Sequence, residues 1–543
     1  MCGISGIAMA IAAPPLGWHW LAWIAMAPPW LCLSLEIQAR TGASKQHTQP
    51  KIKRQFPWFA LLWGSCYYGW LFAWLTGLHP LTWLGLNWWS SVAIAFTAWV
   101  LSTLWATAVV LGWALLQGWL ATWLLLLRTW WGRVLTGVTF WLMLDWLQSQ
   151  SPLYWGTLAL TQSPGNLPIL HLGQLGGPQL IMALLLAVNG CLAEGAIAAT
   201  QRSGLLNELS NHLPVPSRLP VIVAIALLLT GLGVGSWQMQ QRRPDQPAQA
   251  LTIGIIQGNV PTDEKLTAAG LRLSMQRYTE GYQALVEADV DQKVDLVVTP
   301  EGALPVFWEG LMSQQSNLAI AVRQAGVPLW LGTFLREQST VRNQSSNNYT
   351  QSLLLLGASE LASPDSGRYD KVKLVPLGEY IPLENWLGSL VRRLSPIQSS
   401  LVPGDRNQVV TTPWGPVAVG ICYEPPFTVL WRRQVFAGGQ WLLIASNLDP
   451  YSETLMQQHT ALAVLRAIES DRWAVQVANT GYSTVINPAG KLIWQSQPKT
   501  YSVHADAIFR RTTLTPYIRW GNWVLPACLL LWLICVLRWQ FVL

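Results

Sequence analysis

From Pro57 to Thr200 the chain carries charge only at Arg128, Arg133, Asp145 and Glu194. Nothing else in the sequence limits its folding as strongly. Roughly a quarter of an ordinary soluble domain is charged, so a stretch this long and this apolar cannot close around one water-soluble core. It predicts several helices that cross a bilayer, each needing about 20 apolar residues. The apolar runs place spans at 3–14, 17–35, 57–77, 89–115, 131–148, 176–198, 219–236 and 521–541. The first is short and ends at Pro14-Pro15, so it is expected to pair with the second as a helical hairpin. Gln117–Trp131, with Arg128 near its end, is expected to lie along the membrane interface.

The balance changes near Ser236. From Gln238 to about Arg511 charges, turns and short β-rich runs return, before a last apolar run from Asn522 to Phe541. The expected organisation is a membrane domain of about seven helices over 1–236, a globular domain over 237–518, and a C-terminal transmembrane helix over 519–543. No 20–50-residue repeat and no long low-complexity tract interrupts it.

The net charge of +7 is not read as a nucleic-acid footprint, because the basic residues are scattered outside the loops. Basic residues gather in cytoplasmic loops of membrane proteins, and Trp, present 34 times, is enriched at membrane–water interfaces. Arg40, Lys45, Lys51, Lys53 and Arg54 follow the second span; His79–Asn87 and Ser149–Pro178 hold no Lys or Arg. Arg128 and Arg133 flank one turn, and Arg202 and Arg218 follow the sixth span. This alternation predicts a cytoplasmic N-terminus and a globular domain on the outer side of the membrane.

Within the globular region, Leu251–Gln257, Val294–Thr299, Pro328–Phe334, Tyr349–Leu356, Pro416–Cys422 and Trp441–Ser446 have the length and β-branched content of buried strands. Helical patterns over Ala268–Ala288 and Met456–Ser470 lie between some of them, which argues for an α/β domain. Three segments put chemistry at strand ends. They are Thr299-Pro300-Glu301-Gly302, Arg368-Tyr369-Asp370-Lys371-Val372-Lys373, continuing to Gly378-Glu379-Tyr380, and Gly420-Ile421-Cys422-Tyr423-Glu424. A rigid scaffold with its functional groups on loops brings such ends to one rim.

With these residues in this order, the region resembles the nitrilase (carbon–nitrogen hydrolase) superfamily, whose catalytic set is Glu, Lys and Cys. With apolar flanks on both sides, the chain resembles the apolipoprotein N-acyltransferase family within it. The resemblance is strongest over about 250–517. It includes Asn347-Asn348-Tyr349, Ile444-Ala445-Ser446-Asn447, Arg466-Ala467-Ile468-Glu469, Asn479-Thr480-Gly481 and Leu514-Thr515-Pro516-Tyr517. It implies an α-β-β-α sandwich joined to a multi-span helical membrane domain. It departs after Asn447, where the family continues with Asp and an aromatic pair and this chain has Leu448-Asp449-Pro450-Tyr451.

The resemblance implies Cys422 as nucleophile, Glu301 as general base and Lys371 as oxyanion stabiliser, aided by the Tyr423 backbone N–H. It implies a supporting part for Glu379, which orients Lys371 or shares its proton. Glu424 reads either as a participant in catalysis or as half of a structural salt bridge. Lys373 reads as a surface lysine, and Arg466 and Glu469, three apart on a helix, as a structural pair. No Cys–His pair can be argued for His459. The six other cysteines lie in or beside apolar spans, so no disulfide framework is expected. No metal-ligand spacing or phosphate-cradling loop is present, so no cofactor is implied. Met1-Cys2-Gly3-Ile4 matches the start of glutamine amidotransferases with an N-terminal cysteine nucleophile, but here it runs into an apolar span.

The implied activity is transfer of an acyl chain from a membrane phospholipid, through a Cys422 thioester, to the N-terminal amine of a diacylglyceryl-cysteine apolipoprotein. The expected partners are that donor, that acceptor and the membrane, with the chain acting as a monomer and without nucleic acid. The alternative is a membrane-tethered amidohydrolase that uses water as acceptor. A transporter or scaffold is disfavoured, because intramembrane pathways carry more paired charge than these spans do.

Overall fold

The computed structural model describes residues 1–43, 57–202, 218–241, 243–288, 293–313, 316–336, 348–357, 367–376, 378–380 and 401–541. Lys45, Lys51, Lys53, Arg54 and Asn347, named above, lie outside the described residues. The chain divides into two compact units, one comprising Met1–Leu75, Ile94–Arg242 and Trp520–Leu543, the other Thr76–Ala93 and Arg243–Arg519.

The first unit is helical. Among the described residues, four helices are long and apolar enough to cross a membrane: His19–Ala39, Trp88–Leu120, Gly173–Gln201 and Leu219–Gln240. Cys2–Ala12 and Val524–Gln540 are shorter apolar helices, and Trp58–Leu71 and Trp130–Ser149 complete the set of expected spans. The expected 17–35 span is not one straight helix. A 3-10 turn at His19–Leu21 and a short helix Ala22–Ala25 precede Ala27–Ala43. Pro28 and Pro29 sit in the first turn of that last helix, where a missing N–H costs nothing. The expected 57–77 span ends as a helix at Leu71 and tightens into the 3-10 segment Ala73–Leu78. Gln117–Trp131 is not one interfacial segment. Trp88–Leu120 runs through its first part, and a 3-10 turn, Leu125–Arg128, follows.

One charge read as a loop residue is not one. Arg133 lies inside the helix Trp130–Ser149, is 4% exposed, and donates Nε and Nη2 to Glu194 at 2.8 and 2.5 Å. Ser34 Oγ donates to the same carboxylate at 2.7 Å. Charges this deep persist only when paired and hydrogen-bonded, as these are.

The second unit is built on two six-stranded sheets, ordered β12-β1-β2-β3-β4-β5 and β11-β10-β9-β8-β7-β6. The strands are β1 Ala250–Gln257, β2 Leu296–Val298, β3 Leu329–Arg336, β4 Tyr349–Leu356, β5 Arg368–Asp370 and β6 Val410–Thr412. They continue with β7 Gly415–Ile421, β8 Leu442–Ser446, β9 Ala474–Ala478, β10 Thr484–Ile486, β11 Leu492–Gln495 and β12 Ser502–Phe509. Each sheet has a parallel centre, β1-β2-β3 in one and β7-β8-β9 in the other, extended by antiparallel strands at its edges. Parallel strands are buried on both faces and read as continuous apolar runs, which is why β8 and β9 are buried throughout.

Helices Ala268–Val286 and Asn317–Ala325 cover the first sheet, where Tyr278, Tyr282, Leu318 and Val322 join Val297 and Leu331 in one apolar core. Helices Thr428–Phe436 and Glu453–Ser470 lie against β7, β9 and β10 of the second. The result is the expected α-β-β-α sandwich. The carboxyl ends of β2, β7 and β8, where open α/β sheets place their ligand crevice, lead directly into Glu301, Cys422 and Asn447.

Candidate active site

Lys371, fully buried, is held by its backbone. Its N–H donates to Gln351 O at 2.9 Å, and its carbonyl accepts from Gly404 N at 2.9 Å. Its Nζ donates to Glu301 Oε1 at 2.8 Å and to Glu379 Oε1 at 2.5 Å. The other oxygen of Glu301 accepts the Asn447 N–H at 2.8 Å, and that of Glu379 accepts the Val375 N–H at 2.9 Å. Glu379 is therefore in direct contact with the lysine, as either part expected of it requires. Gly302, at φ +54°, turns the chain immediately after Glu301 in a conformation that glycine adopts without penalty.

Cys422 is the first residue beyond β7, and its N–H makes the last ladder bond, to Ala445 O at 2.8 Å. It has φ +51°, which for a residue with a side chain costs roughly 1–2 kcal/mol. Strain of this kind concentrates at functional sites. Cys422 is 8% exposed, and its Sγ lies 3.9 Å from the carbonyl oxygen of Asn447, the residue whose N–H Glu301 accepts. Burial pushes its pKa well above the ordinary thiol value; Glu301 and Glu379 push the same way and Lys371 opposes them. Burial pulls the Lys371 ammonium down, but Glu301, Glu379 and Cys422 outweigh it, so it stays charged. The thiol is thus held in its neutral form beside Glu301 and a fixed cation. A thiol in that state needs a base to become a nucleophile.

Among the described residues Glu424 forms no salt bridge. Its Oε2 accepts from Ile421 N at 2.6 Å and Tyr369 Oη at 2.9 Å, and its Oε1 from Val372 N at 2.6 Å and Lys373 N at 3.0 Å. It joins the residue before the nucleophile to those after Lys371. Burial lifts its carboxyl to about 7 against these bonds, which favour the anion. Tyr423 packs edge-on against Phe427 at 5.4 Å, and Lys373 Nζ stands 4.3 Å over the same ring, half-buried and apart from the Lys371 cluster. Arg466 and Glu469 pair at 3.1 Å in the interior. Cys2 begins a helix, Cys2–Ala12, rather than a strand.

Several residues at the site had no sequence signal. Lys265, 3% exposed, donates Nζ to Gly302 O at 3.1 Å. Burial draws its ammonium down to about 8, while Glu301 and Asp449 pull upward. His459 Nε2 meets the Cys422 carbonyl oxygen at 2.8 Å. Asn447 contributes through its backbone, which no side-chain pattern reports.

The carbon–nitrogen hydrolase family model matches residues 252–511. An apolipoprotein N-acyltransferase from Synechocystis sp. is 40% identical over 98% of both chains. One from Thermosynechococcus vestitus is 40% identical over 99% of this chain and 94% of its own. This chain belongs to the apolipoprotein N-acyltransferase family. An amidase from Nesterenkonia sp. is similar in structure at a TM-score of 0.36 and 18% identity, covering 52% of this chain and 98% of its own. Four apolar helices and this membership make the protein membrane-bound. The loop that departs from the apolipoprotein N-acyltransferase pattern lies at the site. Asp449 Oδ2 accepts the Thr262 N–H at 2.6 Å, and the Tyr451 phenol is raised by burial and by neighbouring Cys422 and Glu379.

Proposed function

We propose that the protein transfers an acyl chain from a membrane phospholipid to the N-terminal amine of diacylglyceryl-cysteine apolipoproteins, with Cys422 as the acyl carrier. The observation that carries the reading is the convergence of the three groups at Asn447: Cys422 Sγ lies 3.9 Å from its carbonyl oxygen, its N–H donates to Glu301, and Lys371 is fixed on that same Glu301 side chain. Glu301 takes the thiol proton. The sulfur attacks the ester carbonyl, a C–S bond forms, and the carbonyl electrons move onto oxygen. Lys371 and the Tyr423 N–H stabilise that oxyanion. As it collapses, the C–O bond to glycerol breaks and Glu301 returns the proton to the departing lysophospholipid. In the second half the neutral amine attacks the thioester. A C–N bond forms, the C–S bond breaks, and the amine proton reaches the sulfur through Glu301.

A lipid donor is supported within the catalytic unit itself. Thr76–Ala93, which connects two apolar helices, belongs to that unit, and a Cβ at Gly77 would lie 2.9 Å from Ser452 N, next to Tyr451. Trp83, Trp88 and Trp89 on this segment are exposed, as suits a membrane–water interface. The domain boundaries at about 236 and 519, the outward-facing catalytic domain and the cytoplasmic N-terminus are part of the same proposal, as is action as a monomer.

The test mixes purified protein with a phospholipid bearing an alkyne-tagged acyl chain, then chases with a diacylated lipopeptide. The expected result is a hydroxylamine-sensitive adduct on Cys422 that moves to the peptide amine and is absent in Cys422→Ala. An adduct discharged only by water favours the membrane-tethered amidohydrolase, and a labelled acyl-enzyme in Cys422→Ala overturns the scheme.

A further inference from the structure

The peptide that follows Cys422 is not held by the sheet. β7 ends at Ile421, and the left-handed Cys422 turns the chain out of the ladder, so its carbonyl needs a partner elsewhere. That partner is His459 Nε2 at 2.8 Å, on the helix Glu453–Ser470. His459 is completely buried. A carbonyl oxygen only accepts, so Nε2 carries the hydrogen. Nδ1 stands 3.0 Å from Gln476 Oε1 on β9, a second acceptor, so the ring is held at both nitrogens only when both carry hydrogen. Gln476 is clamped in turn, its Nε2 donating to Tyr482 O at 2.7 Å and to Thr460 Oγ1 at 3.2 Å.

The Cys422 carbonyl and the Tyr423 N–H are two edges of one planar trans peptide and point in opposite directions. A group that grips the oxygen therefore aims the N–H. It also polarises it, since hydrogen bonds in a chain strengthen one another by perhaps 10–30% each. We infer that His459 is a positioning residue for acyl transfer: through the Cys422 carbonyl it orients and polarises the Tyr423 N–H towards the oxyanion. Without it a buried carbonyl loses its donor, and the peptide at a strained residue is free to rotate. Rotation carries the N–H away from the developing charge and brings a carbonyl dipole of the wrong sign towards it. The inference rests on the acyl-enzyme reading above.

Two reactions of the same thiol separate this role from simple core packing. Acylation passes through a tetrahedral oxyanion; alkylation by iodoacetamide displaces iodide at a saturated carbon and develops none. Removing an oxyanion donor outright costs about 10²–10³-fold in rate, so misaiming one is expected to cost about 10–100-fold. His459→Leu is expected to lower the maximal rate of acylation from alkyne-tagged phospholipid by that factor. The half-saturating lipid concentration and the alkylation rate stay within about twofold of wild type. His459→Gln, which keeps an N–H donor, recovers most of the rate, and Gln476→Leu, which frees the ring, gives a smaller loss of the same kind.

Should His459→Leu not fold, the ratio of acylation to alkylation in the other two variants carries the test. Acylation at the wild-type rate in His459→Leu overturns the proposal. So does an equal loss of both reactions across the variants, which marks His459 as core packing only. If wild-type protein forms no adduct while its thiol still alkylates, the acyl-enzyme reading itself fails and takes this inference with it.

Discussion

Lys371 Nζ bridges Glu301 and Glu379 at 2.8 and 2.5 Å while fully buried, so one cation sits between two acidic side chains in a poorly solvated site. The relationship fixes Glu301 on Lys371 and joins Glu379 to the same cluster, although Glu379 touches only the lysine and a backbone N–H.

Lys371→Met leaves two like charges buried together. Breaking one buried pair costs about 3–5 kcal/mol, so the variant is expected to melt well below wild type and to form no detectable acyl-enzyme. Adding Glu379→Gln removes one stranded charge and is expected to restore part of the stability and none of the activity. Thermal melts in detergent alongside adduct formation check both, and full stability in the single variant would contradict the buried triangle.

The raised thiol predicts a specific pH dependence. Alkylation of Cys422 by iodoacetamide is expected to climb with pH and reach its midpoint above the ~8.5 of a free cysteine. Burial, then the Glu301 carboxylate, disfavour the thiolate. Glu301→Gln removes the second influence, so the midpoint moves down while acylation is lost. An upward move would mean that Glu301 stabilises the thiolate.

Glu424 accepts from four donors, and Gln offers one accepting oxygen with an N–H₂ that must face N–H groups. Glu424→Gln is expected to cost about 1–3 kcal/mol, the penalty of unpaired buried donors. Its carboxyl rises from 4.5 to about 7 on burial. Between those values the folded protein holds a proton that the unfolded chain has released, so this group's contribution to stability falls as pH rises through the window. Melting profiles across it should fall less steeply in Glu424→Gln; parallel profiles would show that the carboxyl does not titrate there.

In the helical unit, Glu194→Gln leaves Arg133 buried with only the Leu127 and Arg128 carbonyls as further acceptors, at 3.0 and 3.2 Å. The expected loss is again about 3–5 kcal/mol, and Arg133→Met with Glu194→Leu should recover most of it, since well-packed apolar pairs replace buried ion pairs at little cost. Poorer melting in the double variant than in Glu194→Gln would contradict this.

Much of this molecule is legible in the sequence, and the reasons are local. Strand positions such as Trp441–Ser446 agree to within one residue with the observed β8, Leu442–Ser446, because continuous apolar runs bounded by turns are the pattern of buried parallel strands. β5, β6, β10 and β11 are only three or four residues long and carry no periodic signal of that length. The helix limits near His19 and Leu120 were misread for a related reason: hydropathy measures membrane preference and not where a helix tightens into a 3-10 turn.

At the site, Glu301, Lys371 and Cys422 stood out because their side-chain types and strand-end positions sit in contiguous motifs. Lys265, His459 and the Asn447 N–H did not. Their roles depend on what faces them across the fold: Gly302 O is 37 residues from Lys265, and Cys422 O is 37 from His459. A lysine or histidine on a helix looks the same in sequence whether it meets solvent or a backbone carbonyl.

The amino-acid order alone therefore determined the membrane-plus-sandwich architecture and the chemical identity of the candidate catalytic groups, since hydrophobic run length and residue type are properties of the chain itself. Tertiary structure decided which carboxylates share Lys371, that Glu424 binds backbone rather than a cation, that Arg133 is an interior ion-pair partner, and that a histidine grips the nucleophile's carbonyl. Each of these depends on a distance of about 3 Å between residues far apart in the chain, and hydrogen-bond and ion-pair energies decay too steeply with distance for sequence proximity to stand in for it.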